Sequence, residues 1–268
     1  MKDYSKELKD LILNTIKEGA SDLHITVGRH PTIRISGALM PLLKNPILSV
    51  ENAEGLILSM LDEKNRNILK EQKEMDLSYS FEDKARFRVN IFTQRGYLGA
   101  ALRLISNKIK TFKELNLPEI LADFAKKEQG FFLVVGPIGH GKSTTLASMI
   151  ETINNSSAEH IMTIEDPIEY LFAQDKSIID QREVRSDTAD FKTALRSMFR
   201  QDINVAMIGE MRDIETISTA VTAAETGHLI LSSLHTNNAA QTIDSIIDSF
   251  PPDQQNKIRV KLASVLLV

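Results

Sequence analysis

This chain of 268 residues contains no cysteine. That excludes disulfides and any thiolate-held zinc centre. It also lacks a cationic excess: 32 Lys and Arg stand against 36 Asp and Glu, a formal charge of −4. Such a balance gives no broad basic face for nucleic acid, so none is expected as a partner. No apolar run approaches the roughly 20 residues that a membrane-crossing helix needs, so direct membrane insertion is not expected. The amino terminus, Met1-Lys-Asp-Tyr-Ser-Lys-Glu7, leads into an amphipathic helical pattern and has no signal-peptide apolar core. The expected compartment is therefore the cytoplasm. Neither an internal repeat nor a low-complexity tract is visible. An apolar content of 42% is that of a globular chain, and the length suffices for two domains with a large buried core.

What is present is organised around one stretch. Gly136, Pro137, Ile138, Gly139, His140, Gly141, Lys142, Ser143 and Thr144 satisfy G-x-x-x-x-G-K-[ST], the P-loop or Walker A pattern. The apolar run Phe131-Phe-Leu-Val-Val135 precedes it as a buried parallel strand, and Ser143 to Ile150 opens a helix. Strand, glycine loop and helix in that order make a phosphate site. The glycines free the backbone to aim successive N–H groups at one anion, and the helix start adds unpaired N–H groups of its own. Lys142 would reach the β- and γ-phosphates and the Ser143 hydroxyl would ligate Mg²⁺.

The half before the loop reads as an α+β module. Helical spacing covers 5–18 and stops at Gly19; alternation gives strands at 22–27, 32–35 and 38–43. Ser49 and Asp62 are placed to cap two helices. Three more strands carry Met75 to Phe81, Phe87 to Ile91 and Leu98 to Leu104, with a turn at Glu82-Asp83-Lys84. Arg88 and Arg103 leave the core on the outer faces of the last two, with no local partner in sequence. Pattern alone favours two solvated sheet arginines. Residues 106–112 form a polar linker, and 111–117 and 118–127 read as short helices. Strands near 131–136, 160–165, 204–209 and 228–234 then alternate with helices, as a P-loop α/β fold should.

A nucleotide hydrolase needs carboxylates near the γ-phosphate, to hold Mg²⁺ and orient water. Two acidic clusters sit at strand ends, where open α/β sheets bind ligands. One is Glu165-Asp-Pro-Ile-Glu169; the other is Gly209-Glu-Met-Arg-Asp213, a Walker B layout with Gly209 in place of the usual Asp. That leaves Glu210 as the acid nearest the catalytic position. His228 and His235 lie seven residues apart, an odd offset that sends them to opposite faces of one strand. They do not share a metal. His235, at the carboxyl end, is the better-placed phosphate sensor, although spacing alone equally allows core histidines.

Taken together, Gly136–Thr144, Thr163–Glu169, Ile208–Asp213 and Thr226-Gly-His-Leu…Leu234-His-Thr236 resemble the Walker A, Asp box, Walker B and His box of the secretion-type ATPases, in that order. Ala20-Ser-Asp-Leu-His24, Ala85-Arg-Phe-Arg-Val-Asn90, Thr222–Thr226 and Thr242–Pro251 resemble the type IV pilus retraction branch. The resemblance implies an α/β fold, a RecA-like P-loop ATPase domain (113–268) preceded by a smaller PAS-like α+β domain (1–105). It implies a homohexameric ring at the inner face of the cytoplasmic membrane, engaged with a membrane platform protein and driven by ATP and Mg²⁺. Glu169 matches the Asp-box acid and Glu210 the Walker B acid; both are metal candidates with Ser143, and one of them polarises water. Arg88 and Arg103 match paired arginines that reach the γ-phosphate, and His228 and His235 match a pair that links nucleotide state to domain position.

Three departures stand out. His140 replaces the usual loop Ser, which is tolerable because the loop binds through its backbone. Gln201 and Asn204 remove two charges before Walker B and are expected to weaken a subunit contact or the metal shell. The chain stops at Val268 inside an apolar helical stripe of Ile258, Leu262, Val265 and Leu266, so a truncated chain with an uncovered stripe is expected, its carboxyl-terminal helices missing. The expected function is Mg²⁺-dependent ATP hydrolysis driving pilus retraction, that is, twitching motility. The rivals are a pilus-assembly or type II secretion ATPase, and a nucleotide-binding regulatory subunit without turnover.

Overall fold

The computed structural model describes residues 3–82, 85–105, 108–137, 139–211 and 213–267. The chain divides into two compact units, Met1–Ser106 and Asn107–Val268. Asp83, Lys84, Ser106 and Asn107, in the expected turn and linker, lie outside the described residues.

The first unit carries α1 (Tyr4–Lys17), β1 (Asp22–Ile25), β2 (Thr32–Ile35), β3 (Ala38–Pro41), α2 (Val50–Leu58), α3 (Glu63–Gln72), β4 (Glu74–Phe81), β5 (Ala85–Gln94) and β6 (Tyr97–Ile105). Its helices start where side chains cap them: Asp3, Ser49 and Asp62 each accept a backbone N–H three residues on. The six strands form an antiparallel sheet in the order β3-β2-β1-β6-β5-β4. One face, with Leu23, Ile25, Phe87, Val89, Ile91 and Leu102, packs against Leu8, Leu11 and Ile12 of α1 and Leu56 and Ile57 of α2. Period-2 alternation sends the polar residues to the other face. There Arg34, Asp22, Arg103 and Arg88 lie opposite one another in one row across four strands.

The second unit carries α4 (Ile120–Ala125), β7 (Gly130–Val135), α5 (Lys142–Ser156), β8 (His160–Glu165), β9 (Ile178–Glu183), α6 (Phe191–Met198), β10 (Val205–Ile208), α7 (Ile214–Glu225), β11 (Leu229–Leu234), α8 (Ala239–Asp248) and α9 (Pro252–Val265). Five strands pair in parallel in the order β7-β11-β10-β8-β9. Central strands covered on both faces must be apolar on both, and β10 is buried at all four positions. Ala206, Ile208 and Ile230 face α6 to α9, while Val205, Met207, Leu229 and Leu231 face α4 and α5. All five strands point the same way, so β7, β8, β10 and β11 deliver their following loops to one edge of the sheet.

Four expectations are corrected. Residues 112–116 form turns and not a helix: Leu115 N–H reaches Thr111 C=O, but Asn116 takes a positive φ of 53° and Pro118 bars continuation. Strand β9 was not expected. It is an edge strand with alternate exposed positions, so it lacks the apolar run of its neighbours. The stripe on α9 is not uncovered, because Ile258, Leu262 and Val265 are buried in the core with α7 and α8, and Leu266 bridges Phe131 of β7. Asn204 lies at the opposite edge of the sheet from the strand-end loops, where its Oδ1 accepts the His160 N–H at 2.8 Å; it is no part of a metal shell there.

Candidate functional site

The loop between β7 and α5 is shaped for an anion. Gly139 and Gly141 both hold a φ of 80°, a left-handed conformation that side chains with a Cβ resist. Gly141 caps α5 with no side-chain oxygen, which leaves the first N–H groups of the helix to a ligand. Lys142 is buried and uses all three ammonium hydrogens: to the Gly136 carbonyl at 2.8 Å, the Pro137 carbonyl at 3.0 Å and His235 Nδ1 at 3.3 Å. An ammonium has no acceptor, so His235 accepts at Nδ1 and carries its ring proton on Nε2. That nitrogen faces Glu210 Oε2 at 3.6 Å. The carbonyl-bound lysine thus contacts His235, which faces the acid that follows β10, although the three come from distant parts of the chain.

Backbone proximity explains the glycine where an Asp is usual. Gly209 N–H donates to the Ile164 carbonyl at 2.8 Å, and a Cβ at Gly209 would stand 3.3 Å from that oxygen. The Ser233 hydroxyl donates to the Gly209 carbonyl at 2.7 Å, fixing the turn that leads to Glu210. Sequence reading had not singled out Ser233.

Glu165 closes β8. Its Oε1 accepts the Thr163 hydroxyl at 2.7 Å and Gln181 Nε2 at 3.5 Å, and its Oε2 accepts the Glu169 N–H at 3.2 Å. Burial pushes this carboxyl up to about 7, against those hydrogen bonds, which favour the ion. Glu165 thus supports the turn, whereas Glu169 is exposed at its rim.

These pieces line one cavity of about 330 Å³, which includes Gly139, Gly141, Lys142, Ser143, Thr144, Glu165, Glu169, Tyr170, Glu210, Ser233 and His235. Glu169 and Glu210 therefore share a chamber with the Ser143 hydroxyl. Among the described residues no group of three or more His, Asp or Glu side chains is gathered as a metal centre. One hydroxyl and one or two carboxylates suit Mg²⁺, which completes its shell with phosphate oxygens and water.

Other candidates lie elsewhere or are not described. His228 sits at the other end of β11 from His235, its Nδ1 3.0 Å from the Ala223 carbonyl and its ring edge-on to Phe199. The seven residues from one to the other separate them by roughly 23 Å at about 3.3 Å per residue. Arg88 and Arg103 belong to the Met1–Ser106 unit, exposed and directly opposite each other. Arg103 does have a partner: its Nε donates to Asp22 Oδ1 at 3.0 Å, and Arg34 Nε stands 3.8 Å from Oδ2. Burial alone would raise Asp22, but the Ser21 hydroxyl and the Arg103 guanidinium hold it below the usual carboxylate range. Ile138 and Arg212, in the expected Walker A and Walker B stretches, lie outside the described residues. Pro137 contributes its carbonyl, and His140 is exposed.

Comparison with known proteins shows the family. Residues 3–257 match the type II/IV secretion system protein family. The type IV pilus retractation ATPase PilT of Pseudomonas aeruginosa is 42% identical over 260 residues, 97% of this chain and 75% of that protein. A structure of the pilus retraction motor PilT with bound ADP superimposes with a TM-score of 0.91 at 46% identity, over 96% of this chain and 75% of that one. The Legionella pneumophila ATPase DotB gives 0.85 at 27% identity, over 98% of this chain and 74% of that one. With the phosphate loop, the two strand-end acids and His235 around one cavity and a family match across nearly its whole length, the chain belongs to the type II/IV secretion ATPase family.

Proposed function

We propose that this chain hydrolyses ATP with Mg²⁺ to drive the retraction of a type IV pilus. The observation that carries the hydrolytic part is one cavity holding Lys142, Ser143, Glu169, Glu210 and His235 at the carboxyl edge of a parallel sheet. Likeness in sequence and structure to PilT proteins supports retraction.

The residues divide the task. The amides around Gly139 and Gly141 and the start of α5 take the phosphates. Lys142 leaves the Gly136 and Pro137 carbonyls for a phosphate oxygen, exchanging two neutral acceptors for an anion. Mg²⁺, held by Ser143 and Glu169, would neutralise charge that builds on the phosphate oxygens. Glu210 orients water for in-line attack. His235, bonded to Lys142 and facing Glu210, changes partners when Lys142 moves, so it reports whether phosphate is present. By their match to the family's paired arginines, Arg88 and Arg103 are proposed to supply positive charge to the γ-phosphate, and His228 is proposed to transmit the nucleotide state away from it.

The working form is a homohexameric ring at the cytoplasmic face of the inner membrane, bearing on a pilus platform protein. Its two domains are a PAS-like module over 1–105 and a RecA-like module over 113–268. Among the described residues no helix is long and apolar enough to cross a membrane.

Steady-state phosphate release tests the chemistry. Lys142→Ala is expected to lose both ATP affinity and turnover. Glu210→Gln should keep ATP affinity while turnover falls by about 10² or more. Unchanged turnover in Glu210→Gln would move the water-orienting role to Glu169. Complementation of twitching in a retraction-deficient strain tests the direction, and failure there with intact hydrolysis would reject retraction.

A further inference from the structure

The turn after β8 is clamped by side chains of the sheet. Ile168 N–H donates to Glu183 at 3.1 Å and Glu169 N–H to Glu165 at 3.2 Å. Gln181 brackets the following residues: its Nε2 donates to the Tyr170 carbonyl at 2.8 Å, and its Oε1 accepts the Phe172 N–H at 3.0 Å. Glu165 belongs to β8, and Gln181 and Glu183 to β9. The backbone of the turn is therefore fixed to the sheet. Nothing in this clamp yet relates Glu169 to the phosphate loop.

Tyr170 supplies that relation. Its hydroxyl oxygen lies 2.8 Å from Thr144 Oγ1, on the first turn of α5, and both residues line the cavity. Thr144 Oγ1 makes no other hydrogen bond among the described residues. A phenol is a better proton donor than an alcohol, so the favoured polarity has Tyr170 donating and Thr144 accepting. Neighbouring Cα atoms are only about 3.8 Å apart, so fixing Tyr170 fixes the origin of the Glu169 side chain.

We propose that Tyr170 is a positioning residue of the nucleotide site, tying the Glu169 turn to the phosphate-loop helix through Thr144. It rests on the hydrolytic reading of the cavity. The hydroxyl contributes not by touching the reacting atoms but by holding a metal-binding acid at a set distance from the phosphates. Partners of this outer kind, when removed, cost about 10–100-fold in metal affinity or activity.

The test uses Tyr170→Phe, which removes one oxygen and keeps the ring. Binding of a fluorescent non-hydrolysable ATP analogue is titrated against Mg²⁺, alongside steady-state phosphate release. The Mg²⁺ concentration at half-maximal binding should rise about 10-fold and kcat should fall by a similar factor. ADP affinity without Mg²⁺ and the thermal midpoint should stay at the wild-type values. A wild-type Mg²⁺ dependence and kcat would overturn the proposal. So would a parallel loss of Mg²⁺-free ADP affinity and thermal stability, which would make the hydroxyl a packing element only. Gln181→Met, which breaks the clamp without touching the loop, should shift the Mg²⁺ dependence in the same direction, and it serves as the test if Tyr170→Phe does not fold. Failure of the hydrolytic reading looks different: the wild-type chain itself would release no more phosphate than Lys142→Ala, while the Mg²⁺ titration would still decide the role of Tyr170.

Discussion

Glu165 gives the sharpest test of how this cavity is built. The carboxyl is buried in the folded chain and titrates near 7, against 4.5 when unburied. The folded state therefore binds this proton more tightly than the unfolded state. Glu165 contributes its full stabilisation below about pH 4.5, and that contribution is lost as pH rises through about 7. At about 1.4 kcal/mol per pH unit, the interval amounts to roughly 3 kcal/mol. Glu165→Gln carries no proton that leaves in this window. Its amide oxygen can accept the Glu169 N–H, and its NH₂ can donate to the Thr163 hydroxyl. Urea unfolding of both proteins at pH 5 and pH 8, with neither Mg²⁺ nor nucleotide, isolates the effect, because ligands of this cavity would shift stability by mass action. Because the unfolded carboxyl is already largely ionised at pH 5, the variant should gain about 2–3 kcal/mol relative to wild type on going from pH 5 to pH 8. A difference independent of pH would refute the reasoning. It would mean that the bonds from Thr163, Gln181 and the Glu169 N–H keep the carboxylate ionised throughout.

Two further outcomes follow, one from the proposed role of Arg103 and one from the packing of α9. Arg103→Ala should cut turnover by about 10³ or more while ADP affinity barely changes, and Arg103→Lys should rescue poorly because a compact ammonium cannot reproduce the guanidinium fork; equal loss of ADP and ATP affinity would make the arginine structural. Leu262→Ala, on the buried face of α9, should destabilise the chain by about 2–5 kcal/mol in chemical denaturation, and a change under about 0.5 kcal/mol, as at surface positions, would show that α9 does not seal the core.

Much of the second unit was legible because its chemistry is local. A strand covered on both faces must be apolar throughout, so β7, β8, β10 and β11 stand out as runs. The phosphate loop is contiguous, and its glycines, lysine and helix start all lie within nine residues. The Ser49 and Asp62 caps act on N–H groups three residues away, which makes them equally readable. Strand β9 was not readable because Asp180-Gln-Arg-Glu183 is a continuous polar run, two of whose side chains, Gln181 and Glu183, hold the turn after β8 instead of packing in the core.

What only the tertiary structure decided depends on residues far apart in the chain. Residue type and position at a strand or helix end pointed to Lys142 and Glu210, whereas Glu169 and His235 were singled out by their match to the family's motifs, since spacing alone equally allowed a core histidine. Sequence alone could not join them, since the bond from Lys142 to His235 spans 93 positions and exists only because β11 lies beside β7. The same holds for Asp22 and Arg103, 81 positions apart and brought together by the pairing of β1 with β6. Gly209 looked like a missing aspartate until the approach of β8 showed that a Cβ has little room there. In the sequence Glu165 was only one acid of the strand-end cluster Glu165–Glu169. Its burial, its raised pKa and its place behind Glu169 come from Thr163, Gln181 and the packed sheet, because the cost of burying a charge is set by everything that surrounds it.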